Sequence, residues 1–382
     1  MSDLAESRRR GGRSARRELR AAPIPEEKRA VKPGMSSGAF SVLSDRDKDR
    51  IHEACLTILE DVGLAEAIPS CIELVTKAGG TFTDDKRLLF PRGLVEEILE
   101  KKVNRNLTLF GQIPKYDMEL KGSKTYFGTA GAAVHIADGE TREYRESLLT
   151  DLYDIGRLVD SLEHIHFYQR PVVARDMEDP RDLDFNTCYA SVSATAKHVG
   201  TSWVEPAHVE ESLKMLHMIA GSEEAWRKRP FVSMSNCFVV PPMKFAQDAC
   251  RCLEVAVRGG MPVLLLAAGQ AGATSPAPLA GAVVQEVAEV LAGLVYVNLI
   301  EPGAPAIFGT WPFVSDLRTG AMSGGSGEQG LLMAACAQMA QFYNIPCAVS
   351  AGMTDAKLPD FQAGYEKGYT ELLSALAGAN LI

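Results

Sequence analysis

From about Ser147 onward the chain alternates short apolar, β-branched or aromatic runs with longer segments of helical period, and it does so six times. The runs cover 164–174, 197–205, 231–240, 261–269, 304–314 and 345–352; amphipathic stretches such as 206–221, 281–300, 327–343 and 361–379 lie between or after them. Alternation of this kind builds a parallel sheet, because each strand must be followed by a crossover long enough to bring the chain back to the same edge. The strand starts recur roughly every 36 residues, against about 31 per unit in a 250-residue (β/α)8 barrel, so six slightly long units suit a barrel. A doubly wound open sheet is the rival, but no break in the pattern marks the reversal of strand order that it requires. Several helical segments end at a glycine, Gly221, Gly259 and Gly378, as left-handed C-caps do.

The last helical segment is followed only by Asn380, Leu381 and Ile382, which read as the opening of a seventh strand. Six units and a stub do not close a barrel. The expectation is therefore an α/β chain with a C-terminally truncated (β/α)8 domain over 147–382, short of two βα units. Before it, 40–146 reads as a helical and β extension: Ser44 is placed to cap a helix with Ile51, Cys55, Ile58 and Leu59 on one face, and Asp138-Gly139 is a turn signal between two strand-like arms. Residues 1–39 read as a basic disordered tail.

Charge is distributed unevenly. The first 35 residues hold ten Lys/Arg and five Asp/Glu in a chain whose net charge is −9, so the body is strongly acidic and repels polyanions, which argues against nucleic acid as its partner. The opening has no apolar segment of secretory type, and no apolar run reaches the length of a membrane span; 283–300 comes nearest, but Gln285, Glu286, Glu289 and Asn298 interrupt it. Eight cysteines in such a chain suit reduced thiols and a cytoplasmic location. Cys250 and Cys252 form a CxC without further ligands nearby, so they read as core packing, and no metal site is expected.

In parallel α/β folds, reacting groups gather at the carboxyl ends of the strands. There the sequence sets Trp203, Asn236, Gln270, Trp311, Phe313, Met353, Asp355 and Lys357. The resulting mouth is aromatic and rich in amides, and it lacks a nucleophile with its base. His164 and His166 open a strand and read as structural. The literal GxGxxG of Gly325 to Gly330 stands some ten residues past its strand and has no acid about twenty positions on, so it reads as a mouth loop leading into a helix rather than a dinucleotide fingerprint.

The segments "GGSGEQ", "AGMTDAKLPDFQAGYEK", "YFGTAGAAVHIADG" and "LSDRDKDRIHEACLTILEDVGL" together resemble the trimethylamine methyltransferase superfamily, over about residues 40–382. The resemblance implies a TIM-type barrel and methyl transfer from a methylated amine to a separate corrinoid protein. The corrinoid is carried by that partner and not bound tightly by this chain. Founding members place pyrrolysine in the region matching "SAGMTDAK", where this chain has only standard residues, with Met353 as the matching position. That departure points away from trimethylamine itself and towards a quaternary amine such as glycine betaine. Tyr126, Trp203, Trp311 and Phe313 are the candidate cage for a cation that has no N–H to donate, and Asn236, Gln270 and Lys357 the candidate partners of a substrate carboxylate. Glu328 and Asp355 are candidates to balance the cation or position the substrate. A homo-oligomer is expected. The alternatives are a barrel that binds a quaternary amine without reacting, and another barrel enzyme with an acid/base pair.

Overall fold

The computed structural model describes residues 40–382 apart from 140 and 142, together with residues 17, 22, 35 and 36. The expected tail over 1–39 thus lies outside the described residues, those few positions excepted.

Six parallel strands form the centre: β1 (Phe167–Gln169), β2 (His198–Thr201), β3 (Val232–Asn236), β4 (Val263–Ala267), β5 (Ala306–Thr310) and β6 (Cys347–Val349). Each is hydrogen-bonded to the next in chain order, β1 to β6, with no reversal. That order excludes the doubly wound alternative. β2 to β6 are buried throughout, as expected of strands covered on both faces.

Eleven helices are described: α1 (Asp45–Asp61), α2 (Pro69–Lys77), α3 (Arg92–Lys101), α4 (Leu149–Ser161), α5 (Pro180–Ala194), α6 (Pro206–Ala220), α7 (Glu223–Lys228), α8 (Gln247–Arg258), α9 (Leu279–Ile300), α10 (Gly327–Tyr343) and α11 (Phe361–Leu376). Ser44 caps α1, accepting from the Asp47 N–H while the Asp47 carboxylate accepts from the Ser44 N–H. α9 is apolar on nearly every side. Among the described residues it is the one helix long and apolar enough to cross a membrane, and 89% of its most apolar stretch is buried inside the protein. A helix without a polar face needs cover on its outer side as well. α1, α2 and α3 supply it, packing against α9 from the N-terminal region.

The sheet does not stop at β1 and β6. Leu381 pairs in parallel with Ala348 of β6 and with Tyr126, and Gly128 pairs with Phe167 of β1. The links are backbone hydrogen bonds: Leu381 N–H to Cys347 O (3.0 Å), Val349 N–H to Leu381 O (3.1 Å), Tyr126 N–H to Asn380 O (2.8 Å), Ile382 N–H to Tyr126 O (3.0 Å) and His166 N–H to Phe127 O (2.7 Å). This corrects the expectation that six strands and a stub leave the ring open. Counting strands only after Ser147 overlooked the segment 126–128, which pairs with 380–382 on one side and with β1 on the other.

At the amino ends of the strands, the antiparallel pair Leu107–Leu109 and Met118–Leu120 sets Leu107, Leu109, Met118 and Leu120 into a second apolar cluster with Leu264, Ile307 and Ala348. The expected hairpin pairs His135–Ala137 with Tyr144–Glu146. Its loop is longer than a two-residue turn: Asp138 N–H donates to Glu143 O, and its carboxylate accepts from Thr141 N–H and from Arg145.

Candidate functional site

Above the carboxyl ends of β1 to β5 lies a cavity of about 350 Å3, lined by Gln169 and Arg170 after β1, Trp203 after β2, Asn236 and Cys237 at the end of β3, and Trp311 after β5, with smaller residues between them. A larger space of about 480 Å3 lies at the opposite end, among Pro230, Pro262, Pro305 and Asn104. In a parallel α/β fold the amino-terminal face carries stability rather than chemistry, so the mouth cavity is the candidate site.

Its walls are fixed from below. Gln169 Nε2 donates to Ser235 Oγ (2.5 Å), spanning β1 to β3 across the interior. It can do so only because position 200 is glycine: a Cβ there would sit 1.8 Å from Gln169 Oε1. Trp203 is buried and its indole N–H donates to Ser212 Oγ on α6 (2.8 Å), which fixes the plane of the ring. Asn236 donates through Nδ2 to Ala249 O (3.0 Å), while its Oδ1 is buried with no partner. Trp311 Nε1 is also buried without a partner. Cys237 is exposed, yet the protein packed around it displaces enough water to raise its thiol, and the nearby Arg170 pulls it back; the same desolvation lowers Arg170.

Of the residues that the sequence set at the mouth, Trp203, Asn236 and Trp311 come together here. The others do not. Gln270 and Phe313 pair in parallel within a small three-stranded sheet (Gln270–Ala271, Phe313–Ser315, Met322–Ser323), and neither lines the cavity. Tyr126 belongs to the apolar cluster at the plugged end; its hydroxyl donates to Glu119 O (3.2 Å) and its ring meets His166 edge-on. Asp355 is a clasp: its carboxylate accepts from Gly324 N–H (2.7 Å) and Ser323 Oγ (3.0 Å), tying the loop after β6 to the approach to α10. Met353 Sδ lies 3.8 Å from Gln329 Nε2. Glu328 and Lys357 are exposed. Trp203, Gln270, Trp311 and Asp355 therefore share no single cavity. The strand ends are right, but the chain after β4, β5 and β6 folds into a layer of its own above them.

Sequence reasoning missed Arg170 and Cys237. The run 164–174 was read as one long strand, which placed Arg170 within it. Pro171 was the available signal: it has no N–H for a central ladder, so the strand ends before it and Arg170 emerges at the rim.

The other flagged residues are structural. His166 and His198 are buried and held near 4 by desolvation; His198 lies 2.8 Å from Phe110 O and 2.9 Å from Ser233 Oγ. Cys250 and Cys252 are buried free thiols of α8. The glycine-rich turn before α10 ends in a conventional cap, with Ser326 Oγ accepting from Gln329 N–H.

A family model described as trimethylamine methyltransferase (MTTB) matches residues 9–382. Trimethylamine methyltransferase MttB of Desulfitobacterium hafniense is 33% identical over 340 residues, spanning 89% of this chain and 68% of that protein. The MttB of Methanosarcina barkeri is 34% identical over 341 residues, 87% of this chain and 68% of its own length. A glycine betaine methyltransferase of Desulfitobacterium hafniense is 28% identical over 351 residues, 90% of this chain and 71% of that one. Among solved structures, a dihydropteroate synthase of Xanthomonas albilineans aligns at 12% identity with a TM-score of 0.43, over 72% of this chain and 92% of that one, a likeness too slight to carry an argument. The match across nearly the whole chain, with relatives above 30% identity, establishes that this chain belongs to the trimethylamine methyltransferase family of methyltransferases.

Proposed function

We propose that the chain moves a methyl group from a methylated amine, in the class of quaternary ammonium compounds, to a cognate corrinoid protein. The observation that carries this reading is the pair of indoles, Trp203 and Trp311, on the walls of one cavity at the carboxyl ends of a parallel sheet. A quaternary nitrogen offers no N–H, so hydrogen bonds cannot hold it; aromatic faces can, at ~0.5–2 kcal/mol each. We read the closed ring of strands as a (β/α)8 barrel over about 126–382 with the residues before it as a packed extension, and we place the reaction in the cytoplasm beside its partner.

The positive nitrogen is already a competent leaving group: the C–N bond breaks, the electron pair stays on nitrogen, and the neutral amine departs without a proton donor. The corrinoid of the partner supplies a low-valent cobalt nucleophile as the methyl acceptor. This chain has to fix the cation against the indoles, turn one methyl group towards the open side of the mouth, and keep water away from it, which is catalysis by orientation. Nothing in the cavity wall then needs to act as base or acid, in keeping with a lining in which Arg170 and Cys237 are the only titratable side chains.

The test uses the native protein with a reduced corrinoid protein of the same source and a panel of trimethylamine, glycine betaine, carnitine and proline betaine. Methylcobalamin absorbance should appear with a quaternary member. Silence across the panel, with the reduced partner shown competent by chemical methylation, overturns the reading.

A further inference from the structure

Arg170 is the one permanently charged residue among those lining the mouth cavity. Its backbone is held on both sides: the N–H donates to Gly200 O (2.9 Å) and the carbonyl accepts from Ala132 N–H (3.3 Å). Its side chain has no such hold. Among the described residues the Arg170 guanidinium forms no ion pair and no side-chain hydrogen bond, and it stands half-buried at the cavity wall, where burial lowers it. The acid that acts on it, Asp184, is committed elsewhere: Oδ2 accepts from Val204 N–H (2.9 Å) and lies 2.8 Å from His208 Nδ1. A half-buried cation without a counterion keeps only part of its hydration, so a bound anion would gain from it, and a guanidinium presents a planar fork matched to a carboxylate.

The cavity therefore has two chemically different parts. Trp203 and Trp311 suit an N-methyl cation, which Arg170 alone would repel. A ligand that brings its own anion turns that repulsion into attraction. We propose that Arg170 binds the carboxylate of a zwitterionic substrate, and so decides between quaternary amines that carry a carboxylate and those that do not. This rests on the quaternary-amine reading above, and adds to it a specificity-determining residue.

Calorimetric titration of the native protein, without its partner, separates the two ideas with three probes. Glycine betaine carries both groups; choline carries the cation alone; 3,3-dimethylbutyrate is the uncharged-carbon isostere that carries the carboxylate alone. The wild type should prefer glycine betaine to choline by more than 10-fold. In Arg170→Gln, glycine betaine and 3,3-dimethylbutyrate should each weaken by 10-fold or more while choline tightens, because a like charge has left the cavity. Arg170→Lys should retain part of the betaine preference. A defect in folding would weaken all three ligands, so the opposite movement of choline is a readout that a structural role does not produce. If Arg170→Gln leaves the betaine-to-choline ratio unchanged, or weakens all three ligands alike, the assignment to Arg170 is overturned while the amine reading stands. If the wild type binds 3,3-dimethylbutyrate through Arg170 but neither ammonium compound, the anion site is upheld and the amine reading falls. Binding of none of the three overturns both.

Discussion

Two arginines stand at opposite ends of the same sheet. Arg229, just before β3 at the plugged end, lies 2.8–2.9 Å from both oxygens of Asp117 and rests over the Phe110 ring at 4.7 Å. Arg170, just after β1 at the open end, has no such partner among the described residues. Other polar groups divide the same way. At the plugged end Lys197 Nζ donates to the carbonyls of Val159, Leu162 and Ile165, each at 2.6 Å, and both ring nitrogens of His198 are engaged. At the open end Asn236 Oδ1, Trp311 Nε1 and Ser350 Oγ are buried with no partner among the described residues. Folded chains rarely leave buried polar atoms unsatisfied. Where one end of the sheet satisfies the groups named here and the other leaves several of its own, the second end is the one we assign to a ligand.

The largest expected effect breaks the satisfied end. Lys197→Met leaves three carbonyls without their shared donor, and relief from burying the ammonium offsets only part of that loss. Stability to urea should fall by about 3 kcal/mol or more, with the affinity of the folded protein for its ligand unchanged. A loss below about 1 kcal/mol would show that the plugged end is not held by these bonds.

Behind the open end sits a buried acid pair on α9. Burial raises Glu289 to about 7; burial, and after it the neighbouring Glu289, raise Glu286 well above the usual carboxylate range. Glu289 Oε1 accepts from Met243 N–H (2.7 Å) and Gln285 Nε2 (3.2 Å), and Glu286 accepts from Gly269 N–H at the end of β4. In the unfolded chain a glutamate loses its proton near 4.3. Between that pH and about 7 the unfolded state thus binds fewer protons than the folded one, and stability falls as pH rises. The contribution of Glu289 is whole below about pH 4 and gone above about pH 7, amounting to roughly 4 kcal/mol. Glu289→Gln keeps the acceptor without the titration. Its melting temperature should vary less between pH 5 and 8 than that of the wild type and exceed it at pH 8; parallel pH profiles would refute this.

Substitution in the open end should act on the ligand instead. Trp311→Ala should weaken quaternary amine binding by about 30-fold, or ~2 kcal/mol, and leave the melting temperature within about two degrees. Trp311→Phe should recover most of that loss, since a ring face remains. If Phe performs no better than Ala, the orphan indole N–H and not the ring face is the group that meets the ligand.

What could be read in the sequence follows the same division. The strand–helix rhythm found α10 to the residue and covered β2 to β6, though it read each strand two to four residues too far at the carboxyl end, because apolar periodicity reports burial on a regular element and not where its ladder stops. Trp203, Asn236 and Trp311 were legible for a related reason, each following closely on such a strand. The closure of the ring was not legible. Residues 126–128 and 380–382 are held by pairing across more than 250 positions, and neither is long enough to show a period. Gln270, Phe313 and Asp355 went astray where the chain leaves the strands and pairs with itself; from composition, a clasp such as Asp355 to Gly324 and Ser323 looks the same as a ligand-binding carboxylate. Arg170 was hidden by reading β1 through Pro171.

Asp355 provides a finer test of that layer. Asp355→Ala removes both acceptors of the clasp and should cost about 1–2 kcal/mol in stability, with a smaller effect on binding than Trp311→Ala. The smallest effect belongs to the exposed charges that the sequence placed at the mouth. Glu328 stands on the first turn of α10, where a carboxylate interacts with the helix dipole by at most a few tenths of a kcal/mol in water, and Lys357 lies on the exposed loop before α11. Glu328→Gln and Lys357→Met should each leave ligand affinity within about twofold and stability within about 0.5 kcal/mol. A tenfold loss of affinity in either would mean that the layer over the strands folds down onto the ligand, joining 328 or 357 to the cavity. The contrast between a finished end and an open one would then describe the molecule only before its substrate arrives.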